Sequence, residues 1–182
     1  MLIFILGGVR SGKSKYAGEI ADEISKNENK KVIYIATYRN DGKDAEMTER
    51  IEKHKKHRPD EWTAVETGKI SDVGLKIKEI RDAIIIIDCM TLLVSNFLFE
   101  VKNADEDKIT NEIEKMLKEI REGIKKNNNK VIIISNEVGQ GVIPANKISR
   151  KYADLLGRAN QLIAKHCAQF YFMFAGIPNK IK

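Results

Sequence analysis

A glycine-rich segment near the start of the chain has the spacing of a phosphate-binding loop. Residues 7–14 read Gly-Gly-Val-Arg-Ser-Gly-Lys-Ser and match the pattern GxxxxGK(S/T) at every fixed position. The segment lies between the apolar run Leu2–Leu6 and an amphipathic run that carries Ala17 and Ile20, which is the strand–loop–helix context of the motif. We therefore expect the loop to bind a nucleoside triphosphate, because inward-facing backbone N–H groups at a helix N-terminus attract phosphate oxygens.

Two side chains of the loop can act directly on a bound triphosphate. Lys13 should reach the β- and γ-phosphates, and the hydroxyl of Ser14 should ligate Mg²⁺. A strand-to-helix turn that merely contains Lys-Ser is the alternative, and the flanking pattern disfavours it. The motif indicates nucleotide binding, but it does not identify the reaction that follows.

The second part of such a site is an acidic residue at the end of an apolar strand. Asp88 follows the run Ile84–Ile87 and fits this Mg²⁺-linked role. A helix N-cap or a turn aspartate also commonly follows a strand. The glycine-rich loop favours the first interpretation, so Ser14 and Asp88 are the predicted metal-binding pair.

A basic segment in the first third of the chain carries two histidines. The run Asp44–Lys56 predicts a helix in which His54 lies on the apolar face, pointing at the protein body. The helix should end near His57, because Arg58-Pro59 follows and a proline disfavours α geometry in the residue before it.

Three interpretations of His54 remain open at this point. It can be a partly buried packing residue, or one of a metal-binding pair with His57, although no nearby Cys or further His completes a ligand set. It can also be a nucleophile, because a neutral imidazole can attack a phosphorus atom and carry a nucleotidyl group. Positive charge for a triphosphate would then come from Lys55, Lys56 and Arg58.

Short apolar runs alternate with longer amphipathic runs, which predicts an α/β fold with a mostly parallel sheet flanked by helices. With the glycine-rich loop, this pattern predicts the fold of a P-loop NTPase, and the 182 residues suffice for one domain over 1–182. Helices are predicted after the loop, over 109–124 and over 148–163, where Gly157 predicts close packing. Asn136-Glu137 closes a strand at the edge where α/β proteins bind ligands. The predicted strands are Leu2–Leu6, Lys31–Thr37, Trp62–Glu66, Ala83–Asp88, Val131–Ser135 and Phe170–Ala175.

Composition limits the classes of protein that fit. The chain has 32 Lys and Arg against 26 Asp and Glu, a net charge of +6, which suits an anionic small ligand. The basic residues are scattered rather than interleaved with aromatic residues, so a nucleic-acid surface is disfavoured. No apolar run approaches the ~20 residues of a membrane span, and no basic stretch precedes the apolar N-terminus, so we expect a cytoplasmic protein. Cys89 and Cys167 are too few for a disulfide scaffold or a CxxC metal site.

Several longer motifs follow one another along the chain. They are GGVRSGKS (7–14), YIAT (34–37), EMTERIEKHKKHRPDEW (46–62), DCMTLLVSN (88–96), SNEVGQGVIPAN (135–146), GRANQ (157–161) and AGIP (175–178). In these motifs and in their order the chain resembles one enzyme family, the bifunctional adenosylcobinamide kinase/adenosylcobinamide-phosphate guanylyltransferases of cobalamin synthesis. The resemblance runs from the first predicted strand to the end of the chain, whereas a generic phosphate-loop protein would share only the loop and the aspartate.

The resemblance implies roles for particular residues. His54, in the stretch H-x-x-x-R-P, matches the histidine that forms a covalent guanylyl intermediate in the family. His54 and Lys13 are then the catalytic residues, Mg²⁺ is the implied metal, and a homotrimer is the implied assembly. The implied nucleotide contacts are Gly7, Gly8, Val9, Arg10, Ser11, Gly12, Lys13, Ser14, Ala36, Thr37, Tyr38, Lys55, Lys56, His57, Arg58, Glu66 and Asp88.

The function implied by the resemblance has two steps. The γ-phosphoryl group of ATP or GTP passes to adenosylcobinamide, and GMP from GTP is then transferred to adenosylcobinamide phosphate, giving adenosylcobinamide-GDP. A small-molecule kinase or a GTP-binding switch, either one without guanylyl transfer, is the alternative. The histidine segment argues against both, because neither needs a nucleophile there.

Overall fold

Strands and helices alternate along the chain, as the sequence pattern predicts. The computed structural model describes residues 1–38, 49 and 58–182. The strands among these residues are β1 (Leu2–Gly7), β2 (Lys31–Ala36), β3 (Thr63–Glu66), β4 (Ala83–Asp88), β5 (Lys130–Asn136), β6 (Gln169–Phe174) and β7 (Ile177–Lys180). The helices among them are α1 (Lys13–Glu28), α2 (Ile70–Glu79), α3 (Met90–Glu100), α4 (Glu106–Asn127) and α5 (Lys147–His166).

The described strands form one seven-stranded sheet in the order β3-β2-β4-β5-β1-β6-β7. Neighbouring strands are parallel except β6 and β7, which are antiparallel. Each of the predicted strands is present, with bounds that differ from the expected ones by about one residue. The prediction of an α/β fold with a mostly parallel sheet is therefore confirmed.

Helices cover both faces of the sheet, which explains why the central strands are apolar throughout. On β4, Ile84 and Ile86 pack on the face that α1 covers, whereas Ile85 and Ile87 pack on the face covered by the helices from α2 to α5. Each of these side chains is at most 1% exposed, and burying one contributes about 1.5–3 kcal/mol. The carboxyl end of β4, where Asp88 lies, is thus fixed from both sides.

Three elements are not predicted by the sequence pattern. α3 is apolar on most of its surface, so no stripe of period 3.6 marks it, and α2 is only ten residues long with Gly74 in its middle. A side chain at Gly74 would collide with Glu119 of α4, which explains the glycine. β7 is exposed throughout and contains Pro178, which a strand pattern disfavours.

Two further sequence expectations can be compared with the described residues. At Gly157 no described residue beyond its own helix lies within 4 Å of where a Cβ would stand, so the close packing predicted there does not occur within the described chain, and packing against another molecule stays a prediction. Among the helices that the structure describes, none has the length and hydropathy needed to cross a lipid bilayer.

Candidate nucleotide-binding site

The glycine-rich loop joins the end of β1 to the start of α1, and its two fixed glycines have separate structural reasons. Gly12 has a φ of 91°, a left-handed value that favours glycine, and leads directly into α1. A Cβ on Gly7 would lie 2.7 Å from the carbonyl oxygen of Met173 and 2.8 Å from Ser11 Oγ. Only a residue without a side chain allows the loop to pack so closely against itself and against β6.

Lys13 begins α1, and its side chain folds into the curve of the loop. Its Nζ donates hydrogen bonds to the carbonyl oxygen of Gly8 and, at 3.4 Å, to Ser11 Oγ. Burial lowers the pKa of Lys13, while Cys89 and Asp88 act in the opposite direction. An ammonium group shielded from water attracts phosphate oxygens more strongly than an exposed one. The position of Lys13 therefore suits the phosphate contact that the motif predicts.

The predicted metal-binding pair is brought into direct contact. Ser14, in the first turn of α1, donates a 2.9 Å hydrogen bond from Oγ to Oδ2 of Asp88 at the end of β4. The same carboxylate oxygen accepts a 2.6 Å hydrogen bond from the hydroxyl of Tyr34. A serine hydroxyl and a carboxylate are oxygen ligands of the kind that Mg²⁺ prefers, with phosphate and water completing its shell. The two residues thus fit a magnesium ion that arrives with a nucleotide.

Thr37 contacts the backbone beside Asp88 rather than the cavity. It is fully buried, and its Oγ1 donates to the carbonyl oxygen of Cys89 at 2.8 Å and accepts from the Cys89 backbone N–H at 2.7 Å. Its own backbone N–H donates to the carbonyl oxygen of Asp88 at 3.1 Å. These bonds occupy the Thr37 hydroxyl and tie the ends of β2 and β4 together.

The other predicted contacts outside the loop lie at the same edge of the sheet. The register pairs Ala36 with Asp88 on one side and with Glu66 on the other. Glu66 is exposed, and Ala36 and Tyr38 are partly exposed. The structure therefore places these residues along one line at the carboxyl ends of β3, β2 and β4.

A cavity of about 460 Å³ opens between the loop and the ends of β4 and β5. Asn136 lies in its wall, and its backbone is fixed at both groups, with N–H donating to Thr91 Oγ1 at 3.1 Å and the carbonyl accepting from Asn160 Nδ2 at 3.1 Å. Glu137 follows and donates its backbone N–H to the carbonyl oxygen of Gly7. The edge position expected for Asn136-Glu137 is present. The wall consists of Val9, Arg10, Ser11, Gly12, Lys13, Ser14, Lys15, Asp88, Cys89, Ile134 and Asn136.

Tyr34, which contacts Asp88, also stacks with the side chains of Arg58 and Trp62, and the sequence did not predict this arrangement. The guanidinium carbon of Arg58 lies 3.8 Å from the centre of the Tyr34 ring, and the ring of Trp62 stacks on Tyr34 with centroids 6.4 Å apart. Burial and the neighbouring Asp88 carboxylate raise the pKa of Tyr34, so its hydroxyl keeps its proton. The stack therefore contacts Asp88 through the Tyr34 hydroxyl, which stays protonated and can donate its hydrogen bond.

Several of the predicted site residues lie outside the part of the chain that the structure describes. These are the predicted nucleophile and its basic neighbours, His54, Lys55, Lys56 and His57. Their roles stay predictions. Among the described residues, no group of three or more His, Cys, Asp or Glu side chains could hold a metal ion by itself.

The chain is similar to known proteins over its full length. A family model described as "Cobinamide kinase / cobinamide phosphate guanyltransferase" matches residues 3–181. The chain is 31% identical to the bifunctional adenosylcobalamin biosynthesis protein CobU of Escherichia coli (strain K12), with 100% of both chains covered. It is 34% identical to CobP of Pseudomonas aeruginosa, which bears the same description, over 98% of this chain and 95% of that protein. Among solved structures, the flagellar accessory protein FlaH from Methanocaldococcus jannaschii matches with a TM-score of 0.54 at 15% identity, over 100% of this chain and 77% of that one, which supports the fold alone.

Proposed function

Because the chain belongs to the cobinamide kinase / cobinamide phosphate guanyltransferase family, we propose that it carries out both reactions of that family at the cavity beside the glycine-rich loop. It is an enzyme of cobalamin biosynthesis, an adenosylcobinamide kinase and an adenosylcobinamide-phosphate guanylyltransferase. The observation that carries the assignment of the site is the convergence of Lys13, Ser14 and Asp88 in one cavity wall.

In the kinase step, a hydroxyl oxygen of adenosylcobinamide attacks the γ-phosphorus of ATP or GTP, and the bond from that phosphorus to the β-bridging oxygen breaks. The hydroxyl proton is released to water, and the products are adenosylcobinamide phosphate and ADP or GDP. Lys13 neutralises charge on the transferring group and on the departing diphosphate. Ser14 and Asp88 would hold Mg²⁺, which when bound supplies positive charge to the phosphate oxygens. The backbone N–H groups at the start of α1 add the positive end of the helix dipole.

In the guanylyl transfer step, a ring nitrogen of His54 attacks the α-phosphorus of GTP and pyrophosphate leaves. A phosphate oxygen of adenosylcobinamide phosphate then attacks the guanylyl phosphorus, the bond to His54 breaks, and adenosylcobinamide-GDP forms. His54 must be neutral to attack. Arg58 stacks on Tyr34, whose hydroxyl contacts Asp88, and this supports the step because Arg58 belongs to the H-x-x-x-R-P stretch that carries His54.

The proposal includes a homotrimer in the cytoplasm. Large apolar side chains stand exposed in the described chain, among them Phe174 at 56%, Ile177 at 69% and Ile143 at 78%, and such surfaces commonly mark subunit contacts. Cys89 and Cys167 are both free thiols, which suits a reducing compartment. Sedimentation analysis tests the assembly directly, and a monomer at micromolar concentration would contradict it.

The intact mass after incubation with GTP and Mg²⁺ tests the transferase step. We expect the protein to gain one GMP through an acid-labile bond, and we expect His54→Ala to abolish the gain while His57→Ala retains it. Phosphorylation of adenosylcobinamide by the same His54→Ala variant should persist. Bound GTP without any adduct, together with active phosphorylation, would leave only the kinase.

A further inference from the structure

Asp88 accepts two hydrogen bonds on one carboxylate oxygen, and these bonds restrict rotation of the whole carboxylate group. Oδ2 receives the hydroxyl protons of Ser14 at 2.9 Å and Tyr34 at 2.6 Å. A serine hydroxyl can donate its proton to a carboxylate and still offer a lone pair to a metal ion. The two bonds therefore allow Ser14 and the remaining oxygen Oδ1 to serve the same ion, or a water molecule bound to it.

Tyr34 reaches Asp88 because of the pairing of β2 with β4. The register pairs Tyr34 with Ile86 and Ala36 with Asp88, so the phenol projects along the sheet toward the end of the neighbouring strand. Tyr34 is 9% exposed. Its hydroxyl is the one group of its side chain that can donate a hydrogen bond. A phenylalanine would fill the same space without the bond to Asp88.

The ring of Tyr34 also receives Arg58. The guanidinium carbon lies 3.8 Å from the ring centroid, and Arg58 Nε is buried without a hydrogen-bond partner in the described part of the chain. The guanidinium group therefore contacts the ring face at a distance at which a cation–π interaction is favourable. One tyrosine thus touches the metal-linked carboxylate with its hydroxyl and the end of the histidine segment with its face.

We propose that Tyr34 is a positioning residue whose hydroxyl orients Asp88 toward the nucleotide-bound Mg²⁺ and whose ring holds Arg58, a predicted nucleotide contact. The inference rests on the proposed function, in which Asp88 serves the metal and Arg58 contacts the nucleotide. It adds to that function a residue that links the two. Groups that orient a metal ligand typically change metal affinity about 10–100-fold when removed.

The hydroxyl is tested by Tyr34→Phe, which keeps the ring and its stacking. With GTP present, we expect the dissociation constant of Mn²⁺, measured by electron paramagnetic resonance, to rise about 10-fold. GTP binding in EDTA should not change, and kinase activity should recover at high Mg²⁺. Tyr171→Phe, which removes a hydroxyl bonded to Gln169 rather than to the site, is the matched control and should bind Mn²⁺ normally.

The ring is tested by Tyr34→Leu, with folding of both variants monitored by thermal unfolding. This variant loses the surface under Arg58, so we expect GMP incorporation into the protein to stay slow even at saturating Mg²⁺, unlike in Tyr34→Phe. Normal Mn²⁺ affinity in a folded Tyr34→Phe would overturn the role of the hydroxyl. Equal GMP incorporation in the two variants at saturating Mg²⁺ would overturn the role of the ring.

The wild-type protein separates this inference from the function on which it rests. If wild type binds no Mn²⁺ with GTP and gains no GMP, the proposed site fails and the inference fails with it. If wild type does both and the Tyr34 variants do the same, only the inference is overturned.

Discussion

The backbone N–H of Gly176 donates a 3.0 Å hydrogen bond to the carbonyl oxygen of Ser11, so the turn between β6 and β7 rests on the phosphate loop. That turn is tight, with left-handed φ values of 47° at Ala175 and 85° at Gly176. A Cβ on Gly12 would lie 3.1 Å from the α-carbon of Gly176. The C-terminal hairpin therefore limits the shape of a loop at the other end of the sequence.

Replacing Gly12 should distort the loop for two reasons, its φ of 91° and its contact with Gly176. We expect Gly12→Ala to weaken GTP binding at least about 10-fold in calorimetry and to lower the free energy of unfolding by about 1–2 kcal/mol. Gly157→Ala is the matched control, because no described residue beyond its own helix lies within 4 Å of its Cβ position. It should raise the free energy of unfolding by about 0.5–1 kcal/mol and leave GTP binding intact. Undiminished GTP affinity in Gly12→Ala would show that the loop tolerates the side chain.

Removing the charge of Lys13 should affect both reactions, because both develop charge on phosphate oxygens within reach of one loop. We expect Lys13→Ala to lower phosphorylation of adenosylcobinamide and GMP incorporation by about 100-fold or more. Lys26→Ala, an exposed change in the last turn of α1, should leave both rates unchanged. Separate rate measurements decide the point, since loss of only one activity would mean that the two reactions use different phosphate sites.

The thiol of Cys89 provides a pH-dependent probe of the cavity. Burial, with a smaller effect of Asp88, raises its pKa to about 11 from an ordinary value of about 9. Because only the thiolate reacts, iodoacetamide should modify Cys89 at least about 10-fold more slowly at pH 9 than an ordinary thiol, and the rate should still be rising at pH 10. Cys89 lies in the cavity wall, so GTP should slow the reaction further.

Mass spectrometry of the labelled peptides measures the modification of Cys89 separately from that of Cys167. The Cys89→Ala variant gives the background rate of modification elsewhere in the protein. A reaction rate that levels off near pH 9 would mean that Cys89 ionises like an exposed thiol. Labelling that GTP does not affect would mean that the nucleotide does not cover this wall of the cavity.

The sequence predicts the parts of this molecule that local patterns encode. β4 is five apolar residues and an aspartate, and Gly7 to Ser14 form a motif whose spacing reflects loop geometry, so both can be recognised without a structure. Tyr34 could not be recognised in this way, because inside an apolar strand it looks like a core residue. Its contact with Asp88 depends on the pairing of β2 with β4, which no local pattern specifies.

The elements that the sequence pattern does not predict lack a clear hydrophobic periodicity. In α3 the buried face cannot be told from the sequence, because apolar residues also occur outside it. Phe99, for example, is 71% exposed. β7 carries no apolar alternation and owes its strand geometry to the turn at Gly176 and its pairing with β6. His54 is the opposite case, because the family resemblance implies its role while the described residues do not include it.

A buried asparagine, Asn129, connects the start of β4 to the end of α2, at the end of the sheet opposite the cavity. Replacing it tests the stability of the fold without changing the site. Asn129 is 1% exposed, and its side chain accepts from the Ala83 backbone N–H at 3.1 Å and donates to the carbonyl oxygens of Ile80 at 2.8 Å and Ile77 at 3.3 Å. Asn129→Ala leaves these backbone groups buried without their partner, so we expect the free energy of unfolding to fall by about 2–4 kcal/mol in urea denaturation. Asn111→Ala, on the exposed side of α4, should change it by less than about 0.5 kcal/mol. Equal effects of the two substitutions would show that water replaces the Asn129 side chain at no cost.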